Sequence, residues 1–123
     1  MPKRVLDVGN CVPDHAAIRS LFEGSYQAEV LQAHGAEDCL ELLDRQKVDL
    51  VLVNRKLDRD YTDGLDIIKE IKAHPQHSHI PCMLISNYPN HQEVAVAAGA
   101  EYGFGKKELY ADETQQRLAR ILS

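Results

Sequence analysis

The 123-residue sequence lacks tryptophan, a cluster of lysine and arginine, and any long apolar run. Its net charge is −5, whereas proteins that hold nucleic acid or anionic membranes need clustered positive charge. A membrane-spanning helix needs about 20 apolar residues, far more than any run in this sequence. The opening residues, MPKRVLDV, contain no apolar segment of the kind found in a signal peptide. These absences predict a cytoplasmic protein that binds neither nucleic acid nor a membrane.

Cysteine is scarce, and its spacing is uninformative. The sequence has three cysteines, Cys11, Cys39 and Cys82, and no two of them form a C-x-x-C motif. An odd and scattered set fits reduced thiols better than a disulfide framework or a zinc ribbon. No functional role is assigned to these residues.

Short apolar segments alternate with segments of helical periodicity along one predicted domain, residues 1–123. Strands are predicted at 5–8, 28–33, 48–53, 80–85 and 102–104, and helices at 14–22, 36–43, 65–71, 90–99 and 111–122. Gly24 and Gly99 are expected to end helices, and Pro75 prevents the third helix from continuing. Strands and helices that alternate in this way build a parallel sheet through right-handed crossovers.

The segment 48–54, VDLVLVN, is an apolar run that ends in a polar residue, Asn54. Near-continuous Val and Leu are typical of a parallel strand buried on both faces. The run before Ser86-Asn87 has the same form. Because ligands collect at the carboxyl ends of parallel strands, Asn54 and Ser86 lie where reactive groups are expected.

Four features together resemble a known family. They are DLVLVN leading through a loop to DGLDIIKEIK, then IPCMLIS, AVAAGAEYGFGK, and a lysine after the fifth strand. Over its whole length the chain resembles the receiver domain of a two-component response regulator. The resemblance implies a flavodoxin-like α/β fold, a doubly wound parallel sheet of five strand–helix units with strand order 2-1-3-4-5. It also implies a role in phosphorelay signalling, in which an Asp at the end of the third strand accepts a phosphoryl group from a kinase histidine.

Some of the residues that take part in phosphorylation in the family have a match in this sequence, and others do not. Ser86 matches the hydroxyl position and Lys106 the lysine position, but Asn54 occupies the phosphoacceptor position. A neutral amide is a poor nucleophile and cannot be activated by losing a proton. No catalytic residue is therefore predicted, and the protein is not expected to be an enzyme.

The acidic pair that holds magnesium in the family is also missing. The matching positions read Gly9 and Asn10, or Asn10 and Cys11 in a register shifted by one residue. Magnesium prefers an octahedral shell of hard oxygens with one or two carboxylates, so neither Mg²⁺ nor another cofactor is expected. Asp7, the acid within the first strand, is interpreted as an edge-facing or partly buried carboxylate rather than a metal ligand.

The family's switch aromatic falls on Gly103, although Tyr102 could replace it through a local shift. In the family a proline usually follows the lysine that matches Lys106, but this sequence has Lys107 there. The loop after Asn54 is about two residues longer than the family's usual D-x-x-x-P-x-x-D-G spacing. The pocket is expected to be neutral or electropositive, and able to bind an anion, because the acidic residues are missing while four cations remain: Arg55, Lys56, Lys106 and Lys107. Side chains that simply point into water are the preferred interpretation of these cations.

These departures predict an atypical receiver domain that binds a protein partner without phosphorylation and holds one conformation. By resemblance, its partner face is the fourth helix, fifth strand and fifth helix, where Tyr88, His91, Tyr102 and Tyr110 could make contacts. Two alternatives remain open: a working phosphoreceiver that uses a displaced acid, Asp58 or Asp60, and an anion-binding flavodoxin-like module. No phosphate-binding loop follows the first strand, which disfavours a flavin.

Histidines cluster in AHPQHSHIP, at the end of the sheet opposite Asn54. His74, His77 and His79 could meet one zinc ion, but no nearby Cys or acid completes the set at a recognisable spacing. A solvated loop is therefore expected, with no metal site. His15 and His91 begin helices and are expected to be exposed.

Overall fold

The computed structural model describes residues 2–122, which form a five-stranded parallel sheet covered by helices on both faces. The strand order is β2-β1-β3-β4-β5, as predicted. The strands are β1 (Arg4–Val8), β2 (Glu29–Ala33), β3 (Leu50–Asn54), β4 (Cys82–Ile85) and β5 (Glu101–Phe104). The helices are α1 (Val12–Ser25), α2 (Ala36–Arg45), α3 (Gly64–Ala73), α4 (Pro89–Ala97) and α5 (Asp112–Leu122), with a short 3-10 turn at Lys106–Glu108.

Alternate residues of the strands face two separate cores. Leu6 and Val8 of β1 point towards the helices α2, α3 and α4, together with Val51 and Val53 of β3. Val5, Leu50, Leu52, Met83 and Ile85 point towards α1 and α5. Because helices cover both faces, β3 is apolar throughout until Asn54, which is half-buried at its carboxyl end.

Two helix ends differ in how well the sequence indicated them. Gly99 has a φ of +107° just after α4, where a left-handed residue ends the helix as expected. Gly24 lies inside α1, which continues to Ser25, and Gln27 is the left-handed residue beyond that helix, with a φ of 52°. Gly24 has no positive φ and lies within the helix, where a glycine is tolerated at a modest cost in stability. The expectation that it ends α1 is therefore wrong. In residues 2–122 no helix has the length and apolarity needed to cross a bilayer.

Candidate functional site

The carboxyl edge of the sheet forms an open pocket of about 420 Å³. Asn54 at the end of β3, Ser86 after β4 and Lys106 after β5 all line it, so the sheet brings these three sequence-predicted residues together. The remaining lining residues are Arg55, Lys56, Ile85, Asn87, Tyr88 and His91. The other sequence-predicted positions, at the end of β1 and in β5, are not part of this lining.

Asn54 is fixed as a hydrogen-bond donor. Its Nδ2 donates to the backbone carbonyl of Lys56 at 2.8 Å and to that of Gly9 at 3.3 Å. The amide thus ties the end of β1 to the start of the loop between β3 and α3. A carboxylate has no proton to donate, so it could not make either contact.

Gly9 faces a side chain where the resemblance places an acid. Gly9 has a φ of +80°, and a Cβ added there would lie 2.1 Å from Cδ2 of Leu57. Leu57 is wholly buried, and its loop is anchored by the Asp58 amide, which donates to the Gly9 carbonyl at 2.9 Å. The lengthened loop therefore directs an apolar side chain against Gly9, and no acidic side chain fits at that position without moving it.

Asp7 is wholly buried in an interior strand, so its interpretation as an edge-facing or partly buried group is wrong. Nδ1 of His15 lies 2.6 Å from its Oδ2, and Nδ2 of Asn10 donates to its Oδ1. Burial raises the pKa of the Asp7 carboxyl above its usual range, although the bonds from His15 and Asn10 oppose that shift. A buried acid needs partners, and the first turn of α1 supplies one in His15, which is half-buried rather than exposed as expected.

Lys106 has an acidic partner that the sequence reasoning missed. Its Nζ lies 2.7 Å from Oδ2 of Asp14, which is in the first turn of α1 and also accepts a bond from the Cys11 thiol at 3.1 Å. The hydrogen bond from Lys106 lowers the pKa of the Asp14 carboxyl, more than burial raises it. Arg55 lies 3.9 Å from Asp63. The expectation that the pocket's cations lack acidic partners is therefore wrong for Lys106 and Arg55.

Ser86 is engaged by its own neighbours. Its Oγ lies 2.7 Å from Nδ1 of His91, and the Tyr88 amide donates to the same oxygen at 3.3 Å. His91 is half-buried, whereas the sequence reasoning expected it to be exposed, and its ring meets the edge of the Tyr88 ring at 5.2 Å. The hydroxyl thus holds the turn that leads into α4, and Ser86 also lines the pocket.

Neither candidate for the switch aromatic reaches the pocket. Gly103 is buried, its amide donates to Oε1 of Gln92 at 2.8 Å, and an added Cβ would lie 2.3 Å from the Leu84 carbonyl oxygen. Tyr102 points outward and is 40% exposed, with the Arg117 guanidinium 4.6 Å from its ring centre. Side chains alternate along a strand, so the sequence could have indicated that positions 102 and 103 face opposite sides of the sheet. Nothing in the sequence near Gly103 indicates its hydrogen bond to Gln92.

The histidine segment is not the solvated loop that was expected. His77 is 5% exposed, and its Nε2 lies 2.7 Å from Oδ1 of Asp44 in α2. Asp44, His74 and His77 offer donor atoms that all lie within 4.8 Å of one another, whereas His79 is exposed. An acid distant in the sequence therefore lies beside two of the three histidines, which the spacing within the segment could not indicate.

Comparison with known proteins agrees with this architecture. Residues 12–119 match the family model described as the response regulator receiver domain. A putative response regulator from Chloroflexus aurantiacus is similar in structure, with a TM-score of 0.83, 21% identity, and 99% of this chain and 98% of that chain covered. The chemotaxis protein CheY4 of Vibrio cholerae gives a TM-score of 0.78 at 17% identity, with 99% and 100% covered.

A third similar structure is NtrX from Brucella abortus, with a TM-score of 0.73 and 29% identity; the match covers 99% of this chain but 27% of NtrX. A search of curated proteins by sequence found no match. The family match spans most of the chain, and the sheet order and the pocket at its carboxyl edge agree with it. The chain belongs to the response regulator receiver domain family.

Proposed function

We propose that this receiver domain is an atypical one, a module that binds a protein partner in two-component signalling without being phosphorylated. The observation that carries the proposal is the Asn54 amide, which donates to two carbonyl oxygens at the position where an acyl phosphate would form. A neutral amide is not a nucleophile. A carboxylate at the same position would be one, but it would lose both hydrogen bonds that the amide donates. The domain, residues 1–123, acts as one unit without catalytic activity of its own, in the cytoplasm.

Magnesium binding is not part of the proposed function. Receiver domains usually bind Mg²⁺ at the phosphorylation site, but the side chains at this one do not fit it. Gly9 offers no side chain, Asp14 is paired with Lys106, and both oxygens of Asp7 already have partners. The Asn10 Oδ1 is the one buried side-chain oxygen without a hydrogen bond in residues 2–122, and Mg²⁺ usually needs carboxylates as well.

A displaced phosphoacceptor has less support. Asp60 accepts a hydrogen bond from the Thr62 amide at 3.0 Å and lines a depression beside α2, away from Ser86 and Lys106. Asp58 is exposed in the same loop. Neither carboxylate lines the pocket that Ser86 and Lys106 share with Asn54, so a phosphoryl group on Asp58 or Asp60 would lack that hydroxyl and lysine.

Phosphoryl transfer tests the proposal directly. The protein is incubated with acetyl phosphate and Mg²⁺, and its intact mass is measured by mass spectrometry. We expect no mass gain of one phosphoryl group, and no change in the amide NMR spectrum when Mg²⁺ and beryllium fluoride are added. A phosphorylated species that disappears in Asp58→Asn or Asp60→Asn would overturn the proposal in favour of the displaced acid.

The proposed partner face is the surface formed by α4, β5 and α5. Tyr88 and Tyr110 are 62% and 64% exposed there, and a groove of about 480 Å³ runs between Tyr88, Tyr102 and Arg117. Large aromatic side chains that remain exposed are common anchors of protein interfaces. The pairing of Lys106 and Arg55 with acids makes an anion a weaker candidate for the adjacent pocket.

Site-specific photo-crosslinking in cells tests this face. A photoreactive phenylalanine analogue is placed at Tyr88 or Tyr110, and at Tyr61 as a control, because Tyr61 is also exposed but lies in the loop between β3 and α3. We expect one discrete adduct from Tyr88 or Tyr110 and none from Tyr61. The same adduct from all three positions, or from Tyr61 alone, would contradict the proposed face.

A further inference from the structure

We infer that Asp44, His74 and His77 form a binding site for a divalent transition-metal ion, with zinc as the best-suited ion. The three side chains come from two parts of the chain, the last turn of α2 and the turn that follows α3. Their donor atoms all lie within 4.8 Å of one another. The site lies at the end of the sheet opposite Asn54 and does not depend on the proposed function.

The turn that presents both histidines is firmly built. The His77 and Ser78 amides donate to the His74 carbonyl at 3.0 and 2.9 Å, and the Ile80 amide donates to the His77 carbonyl at 3.0 Å. Nζ of Lys72 donates to the Ser78 and Ile80 carbonyls at 3.1 and 2.7 Å. A rigid turn holds its side chains close to one geometry, which lowers the entropy lost when they bind an ion.

The two imidazole rings are stacked, with their centres 4.4 Å apart. His74 accepts a hydrogen bond from the Gln76 amide at its Nδ1, at 3.3 Å, so its Nε2 is the nitrogen available to a metal. His77 is almost fully buried and directs its Nε2 to Oδ1 of Asp44. A buried imidazole nitrogen aimed at an exposed carboxylate and beside a second imidazole is a suitable start for a metal site.

The donor set indicates the class of ion. Two neutral imidazoles and one carboxylate suit zinc and related transition metals, whereas magnesium and calcium prefer sites made of oxygen alone. Ligand atoms around a tetrahedral zinc lie roughly 3.3 Å apart, given bonds of about 2.0–2.1 Å. The Nε2–Oδ1 distance is 2.7 Å, so Asp44 would withdraw slightly as the ion replaces this hydrogen bond. Asp44 is exposed and His74 half-exposed, which leaves both free to adjust.

Three protein ligands leave a fourth position of a tetrahedral zinc open to water or to a side chain of another protein. The bound ion would also link α2 to the turn before β4. Because only the folded chain brings Asp44 to the histidines, zinc binding would stabilise the folded state, and above the Kd this stabilisation would grow with the logarithm of the zinc concentration.

Zinc titration of matched variants tests this site. Isothermal titration with zinc chloride is carried out on the full chain in a Cys11→Ser background, which removes the one half-exposed thiol. We expect one zinc ion per chain, and binding weakened at least about tenfold by His74→Ala and by Asp44→Ala. His79→Ala is the matched control, because His79 lies in the same turn but is exposed and outside the set, and it should bind as the parent does.

Amide NMR and thermal unfolding supply readouts that separate the site from non-specific binding. Zinc should shift the amide signals around Asp44 and the 74–80 turn and raise the melting temperature of the parent and of His79→Ala, but not of His74→Ala. The folded spectrum of each variant without zinc confirms that it remains intact. Equal affinity in the parent and His74→Ala, or an equal loss in His79→Ala, would overturn the inference.

Discussion

Single residues at the carboxyl edge determine what the pocket can accept, and Asn54 does so through its two donated hydrogen bonds. We expect Asn54→Asp to lower the free energy of unfolding at neutral pH by roughly 1–3 kcal/mol. The reason is that a carboxylate would face the carbonyl oxygens of Gly9 and Lys56 without a proton for either. Urea denaturation measures the change.

The matched control for this prediction is Asn90→Asp. Asn90 is exposed in the first turn of α4, where an acidic residue is tolerated or slightly favourable, so its stability should stay within about 0.5 kcal/mol of the wild type. If Asn54→Asp proves as stable as this control, the pocket accommodates a carboxylate, and its hydrogen bonds do not exclude a phosphoacceptor at this position.

Asp7 is one residue that makes stability depend on pH. Burial raises its pKa in the folded protein. A carboxyl whose pKa is higher when folded favours folding fully below its unfolded pKa, about 3.9, and that contribution is lost as the pH rises through the folded value. We therefore expect the free energy of unfolding of the wild type to fall relative to that of Asp7→Asn as the pH is raised from about 4. Urea denaturation of both proteins at several pH values measures this difference; a difference independent of pH would contradict the assigned shift.

At the scale of elements, α4 is attached to the sheet by a buried glutamine. Nε2 of Gln92 donates to the carbonyls of Leu84 and Ser86 at 2.9 and 3.2 Å, and its Oε1 accepts from the Gly103 amide. These bonds bridge β4 and β5 where their pairing is irregular, between Met83 and Ile85. The glutamine side chain thus bridges β4 and β5 at the point where the regular pairing of the two strands is interrupted.

Removing this side chain should loosen the last strand more than the rest of the sheet. We expect Gln92→Ala to cost roughly 2–4 kcal/mol, because backbone groups of Leu84, Ser86 and Gly103 lose the hydrogen bonds that the buried side chain makes with them. Hydrogen exchange should show the Gly103 amide losing protection first. Glu93→Ala, at an exposed position of the same helix, should change neither quantity. Uniform loss of protection across all strands would show instead that Gln92 supports the whole domain.

The elements themselves were predictable because their signals are local. The apolar run of β3 and the periodicity of α3 each lie within about ten residues, and the structure places both elements close to the predicted positions. The partners of Lys106 and His77 are Asp14 and Asp44, which lie far away along the chain. Such contacts depend on how helices pack across the sheet, so the sequence indicated where the pocket lies but not how its charges are paired.

On the scale of the whole molecule, two cores on opposite faces of the sheet protect the thiols unequally. Cys39 and Cys82 are wholly buried in the core beside α2 and α3, whereas Cys11 is half-exposed before α1. Burial raises the pKa of the Cys39 thiol to about 12 and that of Cys82 to about 11. The thiolate is the reactive form, so two of the three thiols are shielded both sterically and electrostatically.

Thiol labelling should therefore report opening of the whole domain. With a disulfide reagent at neutral pH we expect one fast reaction, at Cys11, and two reactions at least about a thousandfold slower, because Cys39 and Cys82 react only when the fold opens. Cys11→Ser should abolish the fast phase alone. In urea all three thiols should react quickly, and at intermediate concentrations both slow phases should accelerate together, since the two cysteines share one core. A fast phase of two thiols in the native protein would mean that this face of the sheet opens separately from the face covered by α1 and α5.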